Sequence, residues 1–179
     1  MKIDKFDIKG PILVKNKIFH DHRGFFYEKA NLKKKEKVFE GLSDIVQENI
    51  SISKKYVLRG LHVQLYPKSQ SKLISVIKGE ILDIFVDCRK NSRTFGKYKK
   101  IKLKENDGKT LFIPKDFAHG FLSLKPNTIV SYLVDNFYSK KHERTILWND
   151  KDINVKWPKI SKDFIISDKD KKGINLSQL

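Results

Sequence analysis

Arg59-Gly60-Leu61-His62 sets an arginine and a histidine close together around a glycine, inside the run Val57-Leu58-Arg59-Gly60-Leu61-His62-Val63-Gln64. Arginine suits a diphosphate or carboxylate, which it grips through two parallel donors. Histidine is the side chain best able to move protons at neutral pH. Ser69-Gln70-Ser71-Lys72-Leu73 follows and adds an ammonium. These groups read as one wall of a pocket for an anionic substrate. His119 stands between the small residues Ala118 and Gly120, which permit a close approach of some other group. Tyr132 and Tyr138 flank Asp135-Asn136; a tyrosine serves as a proton donor or lays its ring over a sugar or base. Singly, each of these residues is as compatible with packing as with chemistry. Brought to one cavity, His62, Lys72, His119 and the tyrosines are equipped for proton transfer.

The elements that must position them are mostly strands. Residues 1–19 carry short apolar runs broken at Gly10-Pro11 and predict two strands. Asn31 to Leu42 predicts the best helix of the chain, a short one, with Asn31 as its cap. From Ile45 onward apolar and polar residues alternate, first in Val46 to Ser53. Ile74–Val76 and Ile81–Val86 around Lys78-Gly79-Glu80 predict a hairpin, and Asn106-Asp107-Gly108 a further turn. Phe121–Leu124 and Thr128–Val134 predict another strand pair around Pro126-Asn127. Many short strands with little helix imply an all-β fold, a sandwich or jelly roll. No repeat, linker or low-complexity tract divides residues 1–179, which read as one domain. The apolar trio Phe164-Ile165-Ile166 in an otherwise polar tail predicts that the C-terminus docks back on the body, where it would deliver a carboxylate to the pocket.

A chain of 179 residues is long enough to bury a core of its own. It contains no apolar run long enough for a membrane span and no apolar segment after Met1-Lys2-Ile3-Asp4 of the kind a secretory signal has, so the cytoplasm is the expected compartment. The single cysteine, Cys88, reads as a buried apolar residue in a strand. The net charge of +17 invites a nucleic-acid reading. However, only five of the 38 basic residues are arginine, and the lysines alternate with apolar residues, as in Tyr98-Lys99-Lys100-Ile101-Lys102-Leu103-Lys104. On a strand that pattern gives a solvated face, so neither a nucleic acid nor a membrane is an expected partner. Metal chemistry is also disfavoured. Jelly rolls that bind iron or manganese use His-x-His followed closely by a carboxylate, whereas here Gln64 follows His62 and the next acid is Glu80. His20-Asp21-His22 adjoins a turn and reads as solvated.

The ordered series Asp21-His22-Arg23-Gly24-Phe25-Phe26, Gln47-Glu48-Asn49, Leu58-Arg59-Gly60-Leu61-His62, Gln70 with Lys72-Leu73, and Lys78-Gly79-Glu80 with Asp83 and Asp87 resembles the dTDP-4-dehydrorhamnose 3,5-epimerase family. The resemblance runs on through Ser92, Thr94-Phe95-Gly96, Ile113-Pro114, Phe117-Ala118-His119-Gly120-Phe121, His142-Glu143-Arg144, Leu147-Trp148-Asn149-Asp150, Trp157-Pro158 and Ser167-Asp168-Lys169-Asp170. It implies a cupin-type jelly roll, a cytoplasmic homodimer free of metal and cofactor, and a dTDP-linked 4-keto-6-deoxyhexose as substrate. Hydrogens on C3 and C5, both next to the C4 ketone, would be removed and returned on the opposite face.

By the same resemblance, His62 matches the general base, held by a carboxylate that falls on Asp170 after a one-residue shift in the tail. Tyr132 matches the opposing acid, and Lys72 the group that stabilises the enolate oxygen. Arg23, Glu28, Gln47, Asn49, Arg59, His119 and Tyr138 match positions that hold nucleotide, diphosphate or sugar. Phe19 and Phe26 match residues around the thymine, offered by either subunit. Two positions depart from the family, Val63 for a tyrosine and Ser75 for an arginine, and both are expected to line or neighbour the pocket. The alternatives are inversion at C3 or C5 only, or another nucleotide-linked 4-ketosugar such as a GDP-heptose. Two other classes, a non-catalytic sugar-nucleotide binder and a metal-dependent oxygenase, fit less well, because His62, Lys72 and Tyr132 are all present and the metal pattern is broken.

Overall fold

The computed structural model describes residues 1–31, 38–160 and 162–179. Two sheets face each other. The first runs β1 (Lys2–Lys5), β2 (Ile12–Lys15), β10 (Lys109–Ile113), β7 (Lys72–Lys78), β12 (Thr128–Val134) and β5 (Gln47–Ser53). The second runs β13 (Glu143–Thr145), β6 (Val57–Gln64), β11 (Phe117–Ser123), β8 (Glu80–Asp87) and β9 (Tyr98–Lys104), with β14 (Ile165–Ile166) beside β6. Within each sheet neighbours are antiparallel, except that β14 lies parallel to β6. The expected all-β jelly roll is the fold found.

Alternation along the strands decides what lies between the sheets. Ile74, Val76, Leu111, Ile113 and Val130 from the first sheet meet Ile81, Phe85, Phe117 and Phe121 from the second. Their neighbours point outward and are covered by other segments. Leu73 and Phe112 pack under Phe39 and Leu42. Leu82, Ile84, Val86 and Leu122 pack under Ile146, Ile153 and Leu176 of the C-terminal third. Because both faces of the central strands are buried, they read as continuous apolar runs rather than as a clean alternation. Lys100, Lys102 and Lys104 are exposed, in keeping with the solvated face expected of β9.

The two expected strand pairs are a correction. β7 and β8 do not form a hairpin: the turn at Gly79 carries the chain from the first sheet to the second. Likewise β11 and β12 lie in opposite sheets across Pro126-Asn127. Strands apolar on both sides satisfy burial equally well beside each other or across the core, so a short turn alone does not choose. The expected helix Asn31–Leu42 falls in part on residues 32–37, outside the described residues; Phe39 and Leu42 at its end are buried. Cys88 follows directly after the last residue of β8 rather than within the strand. It is buried, and burial pushes its thiol up to about 12, which leaves it inert at neutral pH.

The tail docks as expected and further than expected. Ile165 and Ile166 align with Val57 and Leu58 of β6. Ser167 then caps a short helix, Asp168–Lys171, its side chain accepting from the Asp170 amide at 3.1 Å. Ile174 bridges to Ile146, and Leu176 is buried. Near the N-terminus, β3 (Phe19–Asp21) and β4 (Gly24–Phe26) form a separate two-stranded arm.

Candidate active site

The site begins with an irregularity in the second sheet. His119 of β11 lies opposite His62 of β6, yet Phe121 lies opposite Arg59. Two residues along β11 therefore match three along β6, which is a β-bulge at Gly60-Leu61. Its consequence is a change of phase. Leu58, Leu61 and Val63 point outward into the apolar layer under the tail, while Arg59 and His62 both face the cavity. In a regular strand residues three apart point to opposite faces.

Gly60 and Gly120 make the bulge possible. Gly60 has φ +102°, and a Cβ there would lie 2.6 Å from the His119 carbonyl oxygen. A Cβ on Gly120 would lie 2.5 Å from the Arg59 oxygen. The close approach expected beside His119 is thus the backbone of β6.

The cavity, about 250 Å³, lies between the sheets and opens to solvent. β6 and β11 supply Arg59, His62, His119 and Phe121, and β5, β7 and β12 supply Asn49, Ser51, Lys72, Tyr132 and Val134. Ile50, Gln70 and Glu143 also line it. His62 and Tyr132 therefore stand on opposed walls.

His62 Nε2 lies 2.7 Å from Asp170 Oδ1. The second oxygen of Asp170 accepts the Gly60 amide at 3.1 Å. Burial would raise the Asp170 carboxyl, but the bonds from His62 and Gly60 outweigh it and hold the group below its usual value. A carboxylate only accepts, so Nε2 carries a proton, and in the neutral imidazole the free lone pair is on Nδ1.

Lys72 Nζ reaches the His62 carbonyl oxygen at 3.4 Å. Burial brings its ammonium down to about 8, against the pull of Glu143 and Asp83. Tyr132 Oη lies 3.1 Å from Ser51 Oγ, and burial raises its phenol well above the ordinary value. The rings of His119 and Phe121 flank it at centroid distances of 6.1 and 6.4 Å. His119 Nε2 is in turn held by the fully buried Asp83, 2.8 Å away. Burial pushes the Asp83 carboxyl up, and His119 and Lys72 oppose it.

At the mouth, Arg59 Nε donates to Ser53 Oγ at 3.1 Å and its Nη2 to the Ile52 carbonyl at 3.2 Å, tying the two sheets. Gln47 Nε2 donates to Asn49 Oδ1 at 2.7 Å, and the Tyr138 amide donates to Gln47 Oε1 at 3.2 Å. Tyr138 Oη donates to Glu143 Oε2 at 3.0 Å, and Lys169, next to Asp170, pairs with the same carboxylate.

His62, Lys72, Tyr132, Asp170, Asn49, Arg59 and His119 are thus brought together, with Gln47 and Tyr138 at the rim. Arg23, Phe19 and Phe26 on the arm, and Glu28 just after it, do not line the cavity of their own chain. Arg23 instead donates to Asp21, from Nε at 3.2 Å and Nη2 at 2.5 Å.

Val63 and Ser75, expected to line or neighbour the pocket, do not line it. Val63 points into the outer layer. Ser75 faces Thr110 on the outer side of the first sheet, Oγ to Oγ1 3.4 Å. Neither touches the cavity. Ser51 and Glu143 were not among the expected site residues. Alternation with Asn49 along β5 was a signal for Ser51; Glu143 needed the placement of β13. Among the described residues no group of three or more His, Cys, Asp or Glu side chains is placed to hold a metal ion, and no helix is long and apolar enough to cross a membrane.

Residues 5–178 match the family model described as dTDP-4-dehydrorhamnose 3,5-epimerase. A curated relative of that name from Shigella flexneri is 44% identical over 173 residues, covering 97% of this chain and 94% of the relative. Among solved structures, the dTDP-6-deoxy-D-glucose-3,5-epimerase of Legionella pneumophila Philadelphia 1, in complex with dTDP-4-keto-L-rhamnose, superposes with a TM-score of 0.93 at 35% identity. That match covers 98% of this chain and 93% of the other. A 3'-monoepimerase from Streptomyces bikiniensis, in complex with dTDP-quinovose, matches with a TM-score of 0.89 at 26% identity, over 96% and 86% of the two chains.

Proposed function

The chain belongs to the dTDP-4-dehydrorhamnose 3,5-epimerase family, and from that membership we propose how its own residues perform the reaction. The enzyme is an isomerase that inverts C3 and C5 of dTDP-4-dehydro-6-deoxy-D-glucose to give dTDP-4-dehydro-L-rhamnose. The observation that carries the mechanism is the placement of His62 on β6 and Tyr132 on β12, on opposed walls of one cavity, with the Lys72 side chain of β7 reaching the His62 carbonyl oxygen.

His62 Nδ1 takes the proton from the carbon next to the C4 ketone; the C–H electron pair becomes a double bond to C4, and the C4=O π pair moves onto the oxygen. Asp170 fixes the tautomer that leaves Nδ1 unprotonated and stabilises the imidazolium that forms. The Lys72 ammonium balances the enolate charge, in a site where burial strengthens the attraction. Tyr132 Oη gives its proton to the opposite face of the same carbon. The phenolate left behind is disfavoured by burial, which makes the phenol a poor place to leave a negative charge and keeps it protonated between turnovers; Ser51 holds its oxygen. Solvent returns the proton to Tyr132 and removes the one on His62. Repetition at the second carbon completes the double inversion.

Arg59, Asn49, Gln47, His119 and Tyr138 hold the diphosphate, nucleotide and sugar. Arg23, Glu28, Phe19 and Phe26 serve the nucleotide of a second subunit. Two features support such a homodimer. Phe19 and Phe26 pair across the arm yet are 52% and 70% exposed. Ile50 and Ile52 on the edge strand β5 are 55% and 64% exposed, an apolar surface that a second copy would cover. The compartment is the cytoplasm.

Proton exchange tests the function. With dTDP-4-dehydro-6-deoxy-D-glucose in D2O, deuterium enters both C3 and C5. Label at one carbon would make the protein a mono-epimerase, and no label would mean another nucleotide sugar.

A further inference from the structure

Lys29 lies just beyond the β3–β4 arm, and its side chain turns onto the outer face of the first sheet. There Nζ donates to Ser131 Oγ at 3.1 Å, and Ser131 Oγ donates to Glu48 Oε1 at 2.7 Å. The backbone of Lys29 is gripped as well: Asn16 Nδ2 and Thr110 Oγ1 donate to its carbonyl at 3.1 and 3.2 Å. Asn16 stands on the other side of the arm, and its amide donates to the Gly108 oxygen at 2.9 Å. Both feet of the arm are thus tied to each other and to the sheet.

The strands gripped are those that carry the chemistry. Ser131 is the outward neighbour of Tyr132 on β12, and Glu48 sits between Gln47 and Asn49 on β5. Those two strands pair with each other, Tyr132 opposite Asn49. Burial lowers the pKa of Lys29, and Glu48 opposes that shift. Withdrawing an ammonium from water costs free energy that a solvated surface lysine does not incur. A chain with 33 lysines has no need to place one there for solubility.

We propose that Lys29, Ser131 and Glu48 form a clamp that fixes where the arm projects, which makes Lys29 a positioning residue for nucleotide binding. The inference rests on the reading above that the arm serves the nucleotide. It requires nothing of the catalytic groups, which lie on the inner side of the sheet.

The test compares full-length wild type with Lys29→Met, Lys29→Arg and Ser131→Ala. Three quantities are read: the Kd for dTDP by calorimetry, KM and kcat on the ketosugar, and hydrogen exchange across residues 19–28. In Lys29→Met the Kd and KM rise about tenfold, equivalent to about 1.4 kcal/mol, kcat stays within about twofold, and exchange in the arm quickens. Lys29→Arg, which keeps the charge, returns Kd toward wild type, and Ser131→Ala moves it in the direction of Lys29→Met. Unchanged exchange in both Lys29→Met and Ser131→Ala would overturn the clamp, as would a fall in kcat with KM unmoved. Exchange also separates this inference from the functional reading. If wild type neither binds dTDP nor turns over the ketosugar while the arm still loosens in Lys29→Met, the clamp stands and the substrate assignment falls.

Discussion

Asp170 and His62, 108 residues apart in sequence, meet at 2.7 Å because β14 pairs with β6 and the short helix after it turns the carboxylate inward. Two donors, His62 Nε2–H and the Gly60 amide, converge on its two oxygens. An asparagine replaces one of those oxygens with an NH2 donor, which would face one of the two donors. In Asp170→Asn either the Gly60 amide loses its partner or the imidazole proton moves to Nδ1, where it blocks the base. We expect kcat to fall on the order of 10²–10⁴-fold with dTDP affinity within about twofold of wild type. Near-normal kcat in a folded variant would show that the tail is structural and not part of the base.

Tyr132→Phe separates proton loss from inversion. The proposed base on β6 is intact in this variant, so on this mechanism C–H exchange with D2O continues through His62 on one face. Delivery to the other face is lost. Exchange should therefore survive better than product formation, whereas His62→Ala abolishes both while leaving dTDP binding largely unchanged. Equal loss of exchange and inversion in Tyr132→Phe would count against a dedicated acid.

Lys72 trades stability for chemistry. Its ammonium is brought down by burial from 10.5 to about 8, so folding with the charge in place costs about 3 kcal/mol. The sign follows from linkage. Below about pH 8 both folded and unfolded chains carry the proton and the cost is fully present; it is relieved as pH rises toward 10.5, because the unfolded chain then binds more protons. On the proposed mechanism activity runs the other way, since only the ammonium would stabilise the enolate. The kcat/KM profile should show an alkaline limb near pH 8. Lys72→Met should lose about 10²–10³-fold in kcat while melting no lower than wild type. A clearly lower Tm would show that the ammonium is net stabilising.

Much of this site was legible in the sequence, for reasons that differ by residue. Arg59 and His62 are scarce or reactive groups around a glycine in strand-forming surroundings, and such groups announce a pocket; Lys72 is one of 33 lysines and stands out by following them closely. The docking of the tail was legible from one apolar trio in a polar segment, although the carboxylate it delivers rested on resemblance. The hairpins do not form because a short turn such as Lys78-Gly79-Glu80 also fits a crossover between facing sheets: Ile74 and Val76 meet Ile81 and Phe85 across the core rather than side by side. Val63 and Ser75 came to notice only as departures from the family pattern, which does not say to which side of a strand a residue points. Val63 follows His62 directly and so points the other way. Asp83 drew notice only by resemblance, since nothing along β8 announces that it faces His119.

The bulge at Gly60 gives the last test. Arg59 and His62 share the cavity face only because the β6 backbone gains a residue there, and Gly60 supplies it at φ +102°. An alanine Cβ would lie 2.6 Å from the His119 oxygen and 2.7 Å from the Gly120 Cα, both backbone atoms without freedom to turn aside. Two responses are open to Gly60→Ala. If the strands part at this point, the Asp170–Gly60 bond goes with them and the base loses its support. If the bulge is expelled instead, β6 returns to strict alternation, and Arg59 and His62 no longer share a face. Both responses impair catalysis, and the strained φ adds on the order of 1–3 kcal/mol of destabilisation. The variant should therefore show a lower Tm and kcat/KM reduced by at least about 10²-fold, the loss set by the base. Ala118→Gly, two residues before Gly120 on the outward face of β11, is the contrasting change: it removes a buried methyl and lowers Tm without moving His62, so kcat/KM should stay within a few-fold of wild type. A Gly60→Ala enzyme with full kcat/KM would mean that the phase change along β6 does not govern the site.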